Sequence, residues 1–116
     1  MANELVSIIH EMSINKLPKF EMYEVGSQIR RSIKSVKSNI VEGFARREYQ
    51  QEFIHFLIIA KGSVDETSDH LDTLFNTKSL TDPVLYNTLS KKLDILSRKL
   101  FHLIKSIKER QGKQSH

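Results

Sequence analysis

Residues 25–47, VGSQIRRSIKSVKSNIVEGFARR, decide the fold. The apolar residues Val25, Ile29, Ile33, Val36, Ile40 and Phe44 recur at steps of 4, 4, 3, 4 and 4. This spacing returns side chains to one face of an α-helix, whereas a strand needs an alternation that is missing. A helix is therefore predicted from about Tyr23 to Arg46, with one apolar stripe turned to a core. On another side Ser32, Ser35, Asn39 and Gly43 recur. That side is small or polar and can receive a neighbouring helix, with Asn39 and Glu42 as hydrogen-bonding groups. Gly43, like Gly62 further on, lies inside a predicted helix, where it costs about 1 kcal/mol relative to Ala. Close approach of another backbone is the reason to keep it, so these four residues are read as fixing packing register rather than holding a ligand.

The same periodicity extends outward in both directions. Upstream, Leu5, Ile8, Ile9 and Met12 share a face of a helix predicted from about Asn3, a plausible N-cap, to Asn15. The segment Leu17-Pro18-Lys19 breaks it, because proline disfavours helix in the residue before it. Downstream, Phe53, Leu57, Ala60, Val64, Thr67, Leu71 and Leu74 define a third helix from about Tyr49 to Asn76. After the turn TKSLTDP, Asp82 can cap a fourth helix whose first position suits Pro83. Its seam, Leu85, Leu89, Leu93, Leu96, Leu100, Leu103 and Ile107, carries it to about Glu109. Short connections between long amphipathic helices favour antiparallel neighbours. The expectation is an all-α, up-down-up-down four-helix bundle over residues 1–111, followed by a polar tail over 112–116.

The third helix is apolar almost all the way round at Phe53, Ile54, Phe56, Leu57, Ile58, Ile59 and Ala60, and the fourth adds Tyr86, Ile95, Phe101 and Ile104 away from its seam. A bundle helix needs one apolar stripe, and a surplus marks a further interface. Self-association is expected, with Ile54, Ile58, Ile59, Phe101 and Ile104 as its candidate residues.

Charge falls in blocks. Residues 25–47 hold six Lys or Arg against Glu42 alone, residues 48–82 seven Asp or Glu against two Lys, and residues 83–116 eight Lys or Arg against two acids. The plainest reading is solvated faces, or complementary helices side by side. The sharper one is a basic surface for nucleic acid, with Arg30, Arg31, Lys34, Lys37, Arg46 and Arg47 as the candidate set. Arg30, Lys34 and Lys37 share a face, whereas Arg31 is displaced by about 100° and is available to a carboxylate of the third helix. With little aromatic interleaving, binding would be phosphate-directed rather than stacking.

Other chemistries find little support. With no cysteine, disulfides and thiolate metal sites are excluded. No two of the five histidines stand at i, i+4, no glycine-rich loop cradles a phosphate, and no serine lies in a nucleophile elbow. Glu66 and His70 are one turn apart, but the matching pair of a di-metal bundle is missing. No catalytic residue, metal, cofactor or small-molecule substrate is expected. No apolar run approaches the ~20 residues that span a bilayer, and the acidic start MANELVSIIHEM is no secretory signal, so a cytoplasmic location is expected.

The stretch GSQIRRSIKSVKSNIVEGFARR followed by EFIHFLIIAKGSVDE resembles the four-helix-bundle family named for proteins encoded in intervening sequences of bacterial 23S ribosomal RNA genes. The resemblance rests on Gln28, Arg30, Arg31, Ser32, Ser35, Asn39, Ile40, Glu42 and Gly43, then Glu52, Phe53, Phe56, Leu57, Ile59, Ala60, Gly62, Ser63 and Glu66. It implies a four-helix protomer, a ring-like homopentamer and no catalytic residues. Related accessory proteins of diversity-generating retroelements imply an RNA or a nucleic-acid-binding protein as partner of a basic surface. The chain has Lys37 where the family usually has proline, and its first helix lacks the aromatic-rich opening of many relatives. The functional expectation is a non-catalytic oligomeric bundle that binds RNA or a ribonucleoprotein partner, the alternative being a protein–protein scaffold.

Overall fold

The computed structural model describes residues 1–114. Helix α1, Ala2–Asn15, stops just ahead of Pro18, and Pro18 opens a short 3-10 helix, Lys19–Tyr23. Helix α2 follows as Val25–Ala45, α3 as Gln50–Asn76 and α4 as Pro83–Gln114. Asp82 caps α4 as its side chain permits: Oδ1 accepts the Val84 and Leu85 N–H groups, each at 3.1 Å, and the missing N–H of Pro83 leaves nothing unsatisfied. Asn3 does not cap α1, which begins at Ala2 with no side-chain cap. Tyr23 belongs to the 3-10 helix rather than to α2. Gly112 to Gln114 of the expected tail continue α4, and Ser115 and His116 lie outside the described residues.

Cross-helix bonds give the topology. Ser35 meets Ser63 and Ser32 meets Thr67, so α2 and α3 run antiparallel. Tyr86 reaches Asp72 and Ser97 reaches Asp65, which sets α4 antiparallel to α3. Lys92 of α4 holds Glu4 at 2.7 Å, and the bed of Met12 and Leu85 at the other end of α1 completes the ring. The up-down-up-down order follows, in a body 56 × 21 × 19 Å. Leu5, Ile9, Ile29, Ile33, Val36, Leu57, Val64, Leu71, Leu89 and Leu93 form its fully buried centre.

The turn between α3 and α4 is closed by Leu80, whose N–H returns to the Leu74 carbonyl at 2.9 Å while its side chain is buried. Lys78 takes the left-handed φ of 65° that this reversal demands. Beside it, Tyr86 stacks on Phe75 at 4.0 Å and donates to Asp72 at 2.6 Å, a bond to a carboxylate that raises the phenol's pKa. At the opposite end the helices are unequal. Met1, Ala2 and Asn3 share a hollow with Lys37, Ile40, Val41 and Leu96, so α1 covers α2 only to that level. This is why Phe44, last of the expected core series, is exposed on one side and meets only the edge of Phe53, at 5.0 Å.

Candidate nucleic-acid interface

Ser32, Ser35, Asn39 and Gly43 of α2 are occupied with holding the bundle. Ser32 and Ser35 face α3, where the Thr67 hydroxyl shares its proton between Ser32 Oγ at 2.8 Å and the Ser63 carbonyl at 2.7 Å. Ser35 and Ser63 hydroxyls meet at 2.9 Å, and Asn39 Nδ2 donates to the Ser35 carbonyl at 2.8 Å. Gly43 lies under Phe56, whose Cβ would sit 3.3 Å from a Cβ placed there. The polar side of α2 is thus a satisfied seam, which fixes register at little cost in desolvation. Glu42 turns outward to pair with Arg46. Gly62 is different: no side-chain or foreign backbone atom lies within 4 Å of the Cβ position, so nothing inside the protomer requires it.

The six basic candidates separate into two groups. Arg30 points to α1 and the 3-10 helix, donating to Ser13 Oγ at 3.0 Å and to the Met22 carbonyl at 2.6 Å. Arg46, partly exposed, pairs with Glu42 and with Glu52 at 3.5 Å and lies over the Phe56 ring at 5.0 Å. These two serve the fold. Arg31, Lys34 and Lys37 are exposed, and Arg31 donates only to Ser27 Oγ, at 3.3 Å, rather than to a carboxylate of α3. Arg47 is exposed and donates to the Phe44 carbonyl at 2.9 Å. Among the described residues none of Arg31, Lys34, Lys37 and Arg47 is in an ion pair. The outward ridge of α2 is therefore Arg31, Lys34 and Lys37, with Arg47 beyond its end, and the shared face expected for Arg30 is displaced because Arg30 is drawn inward.

The expected pairing of oppositely charged helices is also sparse. Of the six ion pairs among the described residues, only Arg46–Glu52 and Lys92–Glu4 join different segments. The Lys92 ammonium holds the Glu4 carboxyl below its ordinary pKa. Lys61–Asp65, His70–Glu66 and Arg98–Asp94 are neighbours along one helix. Glu66 and His70 thus pair with each other, and no group of three or more His, Asp or Glu side chains converges among the described residues.

Of the expected assembly residues, Ile54 and Ile104 are only 6% and 8% exposed, within the buried apolar cluster. They belong to the core. Ile58 and Ile59 of α3 and Phe101 of α4 are exposed, and Phe101 borders a hollow of about 390 Å³ with Lys105 and Lys108. Three exposed rings escaped the sequence reading: Phe20, Tyr23 and Tyr49, at 65%, 84% and 65%.

Among the described residues no helix is long and apolar enough to cross a membrane. The family model described as 23S rRNA-intervening sequence protein matches residues 1–102. Among solved structures, the chain is similar to a protein of unknown function from the S23 ribosomal protein family of Bacteroides thetaiotaomicron VPI-5482. The two share 24% identity over 90% of this chain and 91% of that one, with a TM-score of 0.77, a likeness of fold. No curated protein matches.

Proposed function

The chain belongs to the 23S rRNA-intervening sequence protein family, and from that membership we propose that it is a non-catalytic bundle that assembles with copies of itself and binds RNA along the outer ridge of α2. The observation that carries the reading is the state of that ridge: Arg31, Lys34 and Lys37 are exposed and outside any ion pair among the described residues, while Glu52, Asp65 and Glu66 of α3 pair with Arg46, Lys61 and His70. Three exposed cations at steps of three residues, turning about 120° round α2 from Arg31 to Lys37, suit a phosphate backbone, which supplies affinity without base readout. Exposed Ile58, Ile59 and Phe101 support self-association, and the family resemblance makes a homopentamer in the cytoplasm the specific form proposed.

A structured RNA titrated at 50 and 200 mM salt tests the reading. Affinity is expected to fall on the order of tenfold or more across that range, because each neutralised phosphate releases counterions. No binding at the lower salt, or binding indifferent to salt, would sink it. A protein–protein scaffold is the second reading, and one observation favours it: Arg30 and Arg46 are engaged inside the protomer.

A further inference from the structure

The 3-10 helix Lys19–Tyr23 holds two rings out of the core. Residues three apart on such a helix eclipse, at a separation along the axis of about 6 Å. Phe20 and Tyr23 stand at that spacing, so they share one edge, and both are strongly exposed. The segment is anchored from behind. Glu21 is buried, its N–H bonds the Pro18 carbonyl at 3.0 Å, and its own carbonyl accepts the Glu24 N–H at 3.2 Å. That carbonyl would lie 2.3 Å from a Cβ on Gly26, so the 3-10 helix is seated directly on the first turn of α2. Arg30 fixes the Met22 carbonyl as well. A braced support with two solvent-facing rings spends their apolar area on nothing within the protomer.

Charge beside the rings is mixed, since exposed Glu24 follows Tyr23 and buried Glu21 stands between them, and the cations gather towards α2. Lys16 and Lys19 flank the rings, exposed and outside any ion pair among the described residues. Arg31 and Lys34 follow within the first half of α2, and the exposed Tyr49 lies past Arg47 at its far end. The basic helix is thus bracketed by exposed aromatics. The rise of about 6 Å along the axis over three such residues is close to two base-stacking steps of ~3.4 Å, the space that one inserted base takes.

We propose that Phe20 and Tyr23 form a stacking platform for unpaired nucleotides of an RNA whose backbone follows Arg31, Lys34 and Lys37. The proposal rests on the RNA-binding reading and adds a preference to it: single-stranded or looped RNA over a continuous duplex, whose bases are already stacked.

The test compares the full chain with Phe20→Ala/Tyr23→Ala, and with Phe20→Tyr as a conservative control. The probes are an oligouridine of about 12 nucleotides and a blunt RNA duplex of about 20 base pairs. The double variant is expected to lose oligouridine affinity by about tenfold per ring, while duplex affinity and the salt dependence of both probes stay as in the parent. Phe20→Tyr retains the preference, and the melting temperature holds because neither ring is in the core. Unchanged oligouridine affinity in the double variant, with salt-sensitive binding of both probes intact, overturns the platform and leaves the phosphate reading standing. An equal loss on both probes also overturns it. A fall in oligomer mass with RNA affinity unaltered overturns it too, and assigns the rings to a protein contact. Failure of the parent to bind either probe removes the RNA reading and the platform together.

Discussion

Arg30 shows how a basic motif residue can be engaged within the protomer. Its guanidinium spans two acceptors, Ser13 Oγ in α1 and the Met22 carbonyl in the 3-10 helix, and so ties three segments at one end of the bundle. A lysine ammonium lacks the planar fork that reaches both. Arg30→Lys is expected to cost about 1 kcal/mol, read as a lower melting temperature, with RNA affinity unchanged. A drop in affinity at unchanged stability would move Arg30 onto the binding surface. Gly26 is the second such residue. A Cβ there would be 2.3 Å from the Glu21 carbonyl oxygen, which belongs to backbone and cannot rotate away. Gly26→Ala is expected to destabilise the fold by roughly 1–3 kcal/mol in a denaturant titration, the usual range for overpacking. A neutral outcome would mean that the 3-10 helix can lift off α2.

At the scale of elements, α2 and α4 were the most legible, because each carries a long 3.6-residue stripe, although α2 starts two residues late at Val25 and α4 runs past Glu109 to Gln114. Asp82 and Pro83 mark the start of α4 by chemistry that needs no tertiary context. The polar side of α2 was legible as a packing side, and α3 occupies it through Ser63 and Thr67. What sequence spacing could not resolve was which of two adjacent faces a side chain takes. Ile54 and Ile104 looked surplus because each lies one step off its stripe, but the core is wide enough to bury both. The 3-10 helix was illegible because its five residues carry no repeat, and its placement depends on the contact with Gly26. Gly62 remains without a partner inside the protomer, on a helix that also exposes Ile58 and Ile59. If that face receives a second copy, Gly62→Ala should raise protomer stability by about 1 kcal/mol, from helix propensity alone, while weakening self-association. A variant that assembles as well as the parent would remove Gly62 from the interface.

For the whole molecule, charge is arranged by helix and directed outward. Only two ion pairs among the described residues join separate segments, so the blocks of the sequence serve mostly to give the bundle's faces different signs. A body with basic and acidic faces, plus exposed Ile58, Ile59 and Phe101, is suited to contacts between unlike faces of successive copies, the kind that close into rings. Mass in solution is expected at five times the 13.5 kDa of one chain, and a monomer at micromolar concentration would contradict the ring. The proposed RNA binding and self-association are separable in principle, because Lys34 and Lys37 stand on α2 and the exposed Ile58 and Ile59 on α3. The most direct test is therefore the affinity of Lys34→Glu/Lys37→Glu for a structured RNA at low salt, with melting temperature and mass measured on the same sample. The account predicts a loss of tenfold or more in affinity, roughly the effect of removing two phosphate contacts, with stability and mass as in the parent. Parent-like affinity, or a collapse of the oligomer in its place, would contradict it.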